Sequence, residues 1–234
     1  FGPLSADISL NRDYRSTPQI VNYANRVLKA SPQRDDYLVL QSGREQGPRV
    51  TQTVYASDTE EAQGVAMRIA KLASQGVSPS DCAILTRINA QQQILCKALQ
   101  EQHLRYRMRR DSGWQNSALA DDAQTRLAML EALGVGSDMN GVTISTIHAS
   151  KGLEFKHVFL IGCSEGLLPY GSPQDGDQLE EERRLLYVGV TRAEDTLHLS
   201  YARSKDCLND GRGRRAGGRA AVEVDGDAVA EHGA

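Results

Sequence analysis

The sequence predicts an α/β domain in which helices cover both faces of a mostly parallel β-sheet. Segments typical of strands alternate with segments of helical periodicity along most of the chain. The segment 82–85 reads Cys-Ala-Ile-Leu, and an uninterrupted apolar run of this length is typical of a strand buried on both faces. Hydrophobic residues make up 40% of the 234 residues, which is enough for the core of one such domain.

The helical period indicates five helices. The first begins at Thr17-Pro18, because Thr is a favoured N-cap and Pro is tolerated at the first helical position. It extends to about Ala30. The second predicted helix ends before Gly76, because Gly commonly follows the last residue of a helix. The other predicted helices are 90–101, 121–133 and 179–190.

Six strands are predicted between these helices, at 50–55, 82–85, 104–108, 142–146, 157–161 and 196–201. Residues 1–16 are interpreted as a polar lead-in and 31–48 as a surface loop. Beyond residue 204 the periodicity is lost among Gly, Ala and charged residues, so 205–234 is expected to be a disordered tail. In parallel sheets ligands bind at the carboxyl ends of the strands, and we expect the polar motifs described below to lie there.

Composition restricts the classes of function. The net charge is −3 and aromatic residues make up 5%, so a basic surface must be local and base stacking can involve few residues. The four cysteines form no C-x-x-C pair, which argues against a zinc ribbon and favours a reduced, cytoplasmic protein. No apolar run is long enough for a membrane span. Because the chain begins with Phe1, we expect it to be part of a longer protein.

The first polar motif is Asp-Tyr-Arg-Ser-Thr-Pro-Gln-Ile at 13–20. Arg15 lies just before the N-terminus of a predicted helix, where free N–H groups and the helix dipole attract anions. A guanidinium there suits a phosphate. The alternative is that Arg15 only pairs with Asp13 or a Glu at the surface.

The second motif, at 143–155, reads Thr-Ile-Ser-Thr-Ile-His-Ala-Ser-Lys-Gly-Leu-Glu-Phe. It brings a hydroxyl, an imidazole and an ammonium to the end of one predicted strand, on Thr146, His148 and Lys151. This set is typical of contacts to phosphate or nucleic acid. A lone His after a strand is more often structural, but its clustering with Thr146 and Lys151 favours the functional interpretation. The G-x-x-x-x-G-K-[ST] order of a P-loop is absent.

The third motif, at 180–193, begins Glu-Glu-Glu-Arg-Arg and ends Gly-Val-Thr-Arg-Ala. Spacing predicts an i,i+4 pair between Glu180 and Arg184, so the charged block can be a solvated helix face. Arg192 follows the apolar end of the helix, where its side chain is expected to be held rigidly.

These three segments resemble motifs IV, V and VI of the UvrD/Rep family of superfamily 1 helicases, and 83–91 resembles motif IVa. The resemblance extends from about residue 10 to 202. Members of this family are ATP-driven motors that usually move 3′ to 5′ on single-stranded DNA. The resemblance implies a second RecA-like domain over residues 1–204, a three-layer fold with a mostly parallel sheet flanked by helices.

Two parts of the family pattern are missing. No Gly-Lys-Thr or Gly-Lys-Ser of a Walker A loop occurs in the chain, and no Walker B motif is found. ATP with Mg²⁺ would therefore be bound mainly by a first RecA-like domain. The large helical subdomain that the family usually inserts between motifs IVa and V would be reduced to about 109–141.

The resemblance also implies residue roles. Arg15 and Arg192 would be catalytic arginine fingers at the γ-phosphate of ATP, Glu154 would bind the ribose, and Lys151 could serve ATP or DNA. Four residues would contact DNA: Thr146, His148, Arg87 and Asn89. The implied partners are single-stranded DNA and the first RecA-like domain.

The alternative function is a non-catalytic, helicase-like module for DNA binding or docking. The presence of both Arg15 and Arg192 favours the motor, since a module without turnover does not need them. A free-standing small-molecule enzyme finds no support, because no Ser-His-Asp or Cys-His arrangement and no metal-ligand spacing among the five His can be defended.

Overall fold

The structure, a computed structural model, describes residues 11–109, 140–171, 173, 175–204 and 229–232. Its helices are α1 (Pro18–Lys29), α2 (Asp58–Ser74), α3 (Gln92–Glu101) and α4 (Gly176–Val190). Its strands are β1 (Arg12–Asp13), β2 (Gln41–Ser42), β3 (Thr51–Ser57), β4 (Cys82–Thr86), β5 (Tyr106–Arg109), β6 (Val142–Thr146), β7 (Phe155–Leu160), β8 (Ala193–Ser204) and β9 (Val229–His232).

Seven of the described strands form one sheet in the order β5-β6-β4-β7-β8-β3-β9, and all neighbours are parallel. The central strand β4 is buried along its whole length, as its apolar run predicts. Its successive side chains enter two different cores. Leu85 belongs to the core beneath α1 and α4, and Ile84 to the core beneath α2 and α3. The predicted three-layer architecture with helices on both faces is therefore confirmed.

Local signals explain where the helices begin. Pro18 opens α1, and Thr17 is its N-cap residue, although the Thr17 hydroxyl makes no capping bond. Ser57 caps α2 by accepting a hydrogen bond from the Glu60 N–H at 3.2 Å. Asp175 caps α4 in the same way, so that this helix begins three residues before the predicted start at 179.

The segments outside the main sheet differ from expectation in two places. The predicted surface loop 31–48 contains β2, which pairs in parallel with β1 of the polar lead-in. The predicted disordered tail contains β9, which pairs with β3 and so covers an edge that would otherwise present unpaired backbone groups. Residues 205–228 and the predicted helix 121–133 lie outside the described residues, as does most of the segment 109–141.

A buried carboxylate, Glu61, joins α2 to the sheet. Its Oε1 accepts hydrogen bonds from the Gly162 N–H at 2.9 Å and from the Ser200 hydroxyl at 2.6 Å. Burial raises the pKa of Glu61 to about 7, although both hydrogen bonds act to lower it. The folded protein therefore binds this proton more tightly than the unfolded chain does.

We expect Glu61 to make the free energy of unfolding decrease as the pH rises from about 4.5 to about 7. In that range the unfolded chain releases the proton and the folded protein keeps it, so the unfolded state gains relative stability. Urea unfolding of the wild type and of Glu61→Gln across this range measures the effect. The variant should show a flatter pH dependence, whereas Glu101→Gln, at an exposed carboxylate, should match the wild type. Equal slopes in all three proteins would contradict the expectation.

Candidate functional site

Arg15 and Glu154 form an ion pair, with Arg15 Nε 2.6 Å from Glu154 Oε2. The two side chains are 44% and 54% exposed, so solvent screens the pair. Asp13 is not the partner of the Arg15 guanidinium. Its Oδ1 instead accepts the backbone N–H groups of Arg15 and Ser16, at 2.6 and 3.0 Å, which fixes the turn that presents Arg15.

Hydrogen bonds to main-chain carbonyl groups bring the three sequence motifs together. The Ser16 hydroxyl donates to the Ala193 carbonyl at 2.7 Å, and the Thr17 N–H donates to the Glu194 carbonyl at 3.0 Å. The Phe155 N–H donates to the Arg192 carbonyl at 2.9 Å. The segments that carry Arg15, Glu154 and Arg192 are therefore neighbours in space, although they are far apart in sequence.

Arg192 is held by its surroundings, as the sequence predicts. Its guanidinium donates to the carbonyl oxygens of Val188 and Leu153, both at 3.0 Å, and to the Thr191 hydroxyl at 3.2 Å. Burial lowers the pKa of Arg192 and the charge of Arg15 lowers it further, while Glu154 raises it. An arginine in such a site remains charged at neutral pH. Two guanidinium groups thus lie close to one half-exposed carboxylate.

This group lies at the amino edge of the main sheet. Glu154 directly precedes the first residue of β7, and Arg192 directly precedes the first residue of β8. The expectation that all polar motifs lie at the carboxyl edge is therefore wrong for these residues. The physical reason is that 147–154 cross the sheet after β6 ends, so the second motif begins at one edge and ends at the other.

The predicted DNA-contact residues lie at the carboxyl edge. Thr86 at the end of β4 is paired in register with Thr146 at the end of β6, and the Ile147 N–H donates to the Thr86 carbonyl at 2.9 Å. Arg87 follows β4 directly. His148 and Asn89 are exposed near these strand ends, and Lys151 is exposed in the crossing segment.

Two of these residues are engaged within the protein. The Thr146 side chain is 5% exposed, and its hydroxyl accepts the Ala149 N–H at 3.1 Å. The Arg87 guanidinium is paired through two nitrogens with Glu182, at distances from 2.6 to 3.1 Å. These side chains are 18% and 11% exposed. The DNA-contact role of Arg87 remains a prediction, but its geometry favours a role inside the domain.

Glu182 is the residue that the sequence interpretation missed. It also accepts the Tyr170 N–H at 3.0 Å, and the Tyr170 ring lies 5.2 Å from the Arg87 guanidinium carbon. Burial alone would raise the pKa of Glu182, but the hydrogen bonds from Arg87 and Tyr170 and the proximity of His148 lower it below its usual value. Glu182 lies in the Glu-Glu-Glu-Arg-Arg segment, but the spacing of the charges does not show which of its glutamates pairs with a residue of another element.

Glu180 and Arg184 influence each other only through their charges, which lower the pKa of Glu180 and raise that of Arg184, and the ion pair of Glu180 is with Arg183 instead. Glu180 binds Arg183 at 2.9 Å and accepts the Ser31 hydroxyl at 2.5 Å, because Glu180 faces the end of α1. Arg184 instead donates to Gln33 and to the Tyr37 hydroxyl. Part of the charged helix face thus contacts the 31–37 segment through Glu180 and Arg184, while Glu181 and Arg184 stay exposed.

The chemistry of the amino-edge group suits an anion. The described residues contain no cluster of three or more His, Cys, Asp or Glu that could hold a metal ion. Two guanidinium groups side by side suit phosphate, which guanidinium groups bind with paired donors. None of the described helices is long and apolar enough to cross a bilayer.

The sequence of this chain is similar to a known protein family and to several curated proteins. Residues 8–113 and 122–204 match the family described as the UvrD-like helicase C-terminal domain. ATP-dependent DNA helicase UvrD2 of Mycobacterium tuberculosis H37Rv is 32% identical over 277 residues, covering 87% of this chain and 40% of that protein. ATP-dependent DNA helicase Rep of Escherichia coli K12 is 43% identical over 77 residues, covering 33% and 11% respectively. The chain thus spans 40% or less of the length of these curated relatives.

A solved structure shares the fold. The C-terminal domain of a possible DNA helicase from Lactobacillus plantarum WCFS1 superposes with a TM-score of 0.51 at 21% identity, covering 84% of this chain and 92% of that chain. The predicted RecA-like three-layer fold is therefore confirmed.

Proposed function

Since the chain belongs to the UvrD-like helicase C-terminal domain family, we propose that it is the second motor domain of an ATP-dependent 3′-to-5′ DNA helicase. The observation that carries the proposal is the convergence of Arg15, Arg192 and Glu154 at one edge of the sheet. The partner at this edge is a first RecA-like domain, which holds ATP and Mg²⁺. The protein acts in the cytoplasm, where cysteines that form no C-x-x-C pair stay reduced.

Arg15 and Arg192 act as arginine fingers on the γ-phosphate of ATP. The three hydrogen bonds of Arg192 to Val188, Leu153 and Thr191 hold its guanidinium in place before the nucleotide arrives. Arg15 is more exposed and pairs with the half-exposed Glu154, so a phosphate can attract it. Glu154 is then free to accept a hydrogen bond from the ribose. Preorganised charge of this kind stabilises the transition state more than the bound substrate.

The carboxyl edge binds single-stranded DNA. His148 and Asn89 are exposed there and offer an imidazole and an amide to phosphate or sugar, and exposed Lys151 adds a charge for either ligand. Thr146 shapes the 146–150 turn through its bond to Ala149, and it contacts DNA at most through that turn. Helix α4 connects the two edges, because Glu182 lies in its first half and Arg192 follows its end.

The accessory helical subdomain is reduced to about 109–141. The match to the family is interrupted at residues 114–121, inside this segment. The alignment with UvrD2 is also longer than the part of this chain that it covers. UvrD2 therefore has residues within the matched region that this chain lacks.

The isolated 234-residue chain is expected to show no ATP hydrolysis. It carries the fingers but no Walker A sequence to hold the triphosphate. Phosphate release measured with saturating single-stranded DNA checks this, with Arg192→Ala as the control for a contaminating ATPase. Turnover that is abolished by Arg192→Ala would contradict the proposed division of labour, since it would show a complete site in this chain.

Binding of single-stranded DNA to the isolated chain is expected to be weak, independent of sequence and sensitive to salt. With two to four phosphates neutralised, log K should fall with log[salt] at a slope of roughly −1.5 to −3. Lys151→Ala should reduce the slope by about 0.7, one phosphate contact. Arg87→Ala should change it little, because Glu182 already neutralises that guanidinium.

Titration of labelled oligonucleotides at several salt concentrations measures these slopes. Lys71→Ala is the control, because this exposed lysine lies near the end of α2 that is remote from the carboxyl edge. Strong sequence preference, or an affinity of the wild type that does not depend on salt, would contradict the proposed phosphate contacts. Equal slopes for Lys151→Ala and the wild type would remove Lys151 from the DNA site. The non-catalytic alternative predicts the same DNA binding, so it is distinguished by the variants of the fingers and not by this titration.

A further inference from the structure

We propose that Arg44 is a positioning residue that holds Arg15 in its catalytic geometry. The inference rests on the proposed function, because it gives Arg44 a role only through the Arg15 finger. Arg44 lies in the 31–48 segment, which sequence analysis interprets as a surface loop and to which neither the family motifs nor the comparisons assign a role.

The Arg44 guanidinium joins two of the chain segments at the amino edge. Its Nη1 donates to the carbonyl oxygen of Arg15 at 2.7 Å and to that of Glu194 at 3.2 Å. Its Nη2 is 2.8 Å from Asp195 Oδ1. Arg44 therefore ties the main chain of the first finger to the start of β8, two residues beyond the second finger, Arg192.

The main chain around Arg44 follows the Arg15 segment closely. The Ser42 hydroxyl donates to the Ser16 carbonyl at 2.7 Å and accepts the Arg44 N–H at 3.1 Å. The Gly43 N–H donates to the Asp13 carbonyl at 2.6 Å. A Cβ at Gly43 would lie 2.9 Å from the Tyr14 ring and 3.0 Å from Arg12 Nε, so a side chain at this position would have to displace these two side chains. The loop is thus bound to the finger segment along several residues.

The chemistry of Arg44 separates it from the fingers. Its two terminal nitrogens are used by two carbonyl oxygens and a carboxylate, all within the domain. Arg15, in contrast, makes one ion pair with the half-exposed Glu154, which a phosphate can replace. Lysine cannot replace Arg44 fully, because a single ammonium lacks the planar fork that reaches the three acceptors together.

Loss of Arg44 should lower kcat by displacing Arg15. A displacement of about 1 Å at a catalytic group can cost roughly 10²-fold in rate. We therefore expect Arg44→Ala to lower kcat about 10- to 100-fold with a smaller change in the KM for ATP. Arg44→Lys should fall between that variant and the wild type.

The test uses the protein in which this chain is joined to its nucleotide-binding domain, and it compares Arg15→Ala, Arg44→Ala and the double variant. If Arg44 acts through Arg15, Arg44→Ala lowers kcat in the wild-type background and changes it less than about twofold in the Arg15→Ala background. Equal losses in the two backgrounds would overturn the inference, because they indicate general damage. Arg34→Ala, an exposed arginine of the same loop, is the matched control and should retain wild-type kcat.

Failure of the inference and failure of the proposed function give different results. If Arg15→Ala retains normal kcat, the proposed function fails at this residue. If Arg15→Ala is impaired but Arg44→Ala is not, only the positioning role is overturned. Should Arg44→Ala fail to fold, Asp195→Asn in both backgrounds takes its place, because it weakens the ion pair that holds the Arg44 guanidinium and leaves Arg44 present. Its kcat loss must then also disappear in the Arg15→Ala background, or the inference is overturned.

Discussion

Replacing Arg192 by Ala in the protein that joins this chain to its nucleotide-binding domain is expected to lower kcat by about 10³-fold or more. Arginine fingers contribute roughly 10³–10⁵ in rate, and the lower limit corresponds to about 4 kcal/mol. The Kd for ATP should change much less, because the guanidinium acts mainly on charge that develops in the transition state. Arg15→Ala should lower kcat in the same way, since Arg15 lies beside Arg192 and Glu154.

Steady-state ATPase assays with saturating single-stranded DNA measure these losses. Arg34→Ala is again the matched control, because its side chain is 67% exposed and its contact with Asp35 is long, at 3.9 Å. Near-normal kcat in either finger variant would remove that residue from the site and would favour the non-catalytic alternative.

Glu182→Ala is expected to have the largest effect on stability, lowering the free energy of unfolding by about 3 kcal/mol. The substitution leaves the Arg87 guanidinium largely buried without its counter-ion and removes the acceptor of the Tyr170 N–H. Removal of one partner from a buried pair typically costs 3–5 kcal/mol, and the residual exposure places this pair at the lower limit. Urea unfolding of the isolated chain gives the value.

Glu181→Ala is the natural control, because the adjacent carboxylate is exposed. Arg87→Ala combined with Glu182→Ala should lose less than the sum of the single variants, since the double variant leaves neither charge uncompensated. Additive losses, or a loss in Glu182→Ala no larger than in Glu181→Ala, would show that the pair has no structural role.

The alternation of strands and helices could be predicted because each layer leaves its own periodicity in the sequence. The run Cys-Ala-Ile-Leu of β4 reflects burial on both faces, and the structure divides Ile84 and Leu85 between two cores. Boundaries were less predictable. Helix α4 begins three residues earlier than expected because Asp175 provides the cap, and its 3.6-residue period is weak before residue 179.

The sequence motifs single out Arg15, Glu154 and Arg192, whose functional roles stay predictions, but their expected place in the sheet is wrong. Arg15, Glu154 and Arg192 do converge, but they lie at the amino edge, because the chain crosses the sheet between Thr146 and Glu154. The predicted parallel direction of the strands at 142–146 and 157–161 already implies such a crossing. In the structure both strands run parallel to β4, which places the two ends of the second motif at opposite edges.

Contacts between distant segments were beyond the sequence altogether. Arg44 and Glu182 each resemble ordinary surface charges, and only the fold brings them to partners 29 and 95 residues away. Arg44 binds the main chain of Arg15, and Glu182 balances the charge of Arg87, so each acts on a residue with a predicted function. Local charge patterns predict neighbours on one helix, and these partners come from different elements.

The single-turnover rate constant for ATP hydrolysis in Arg192→Ala tests the central claim most directly. Steady-state kcat can be limited by product release, whereas rapid-quench measurement with enzyme in excess follows the chemical step. The account predicts that this rate constant falls about 10³-fold while the Kd for ATP changes less than about tenfold. A rate constant equal to that of the wild type and of Arg34→Ala would contradict the claim that this domain supplies an arginine finger.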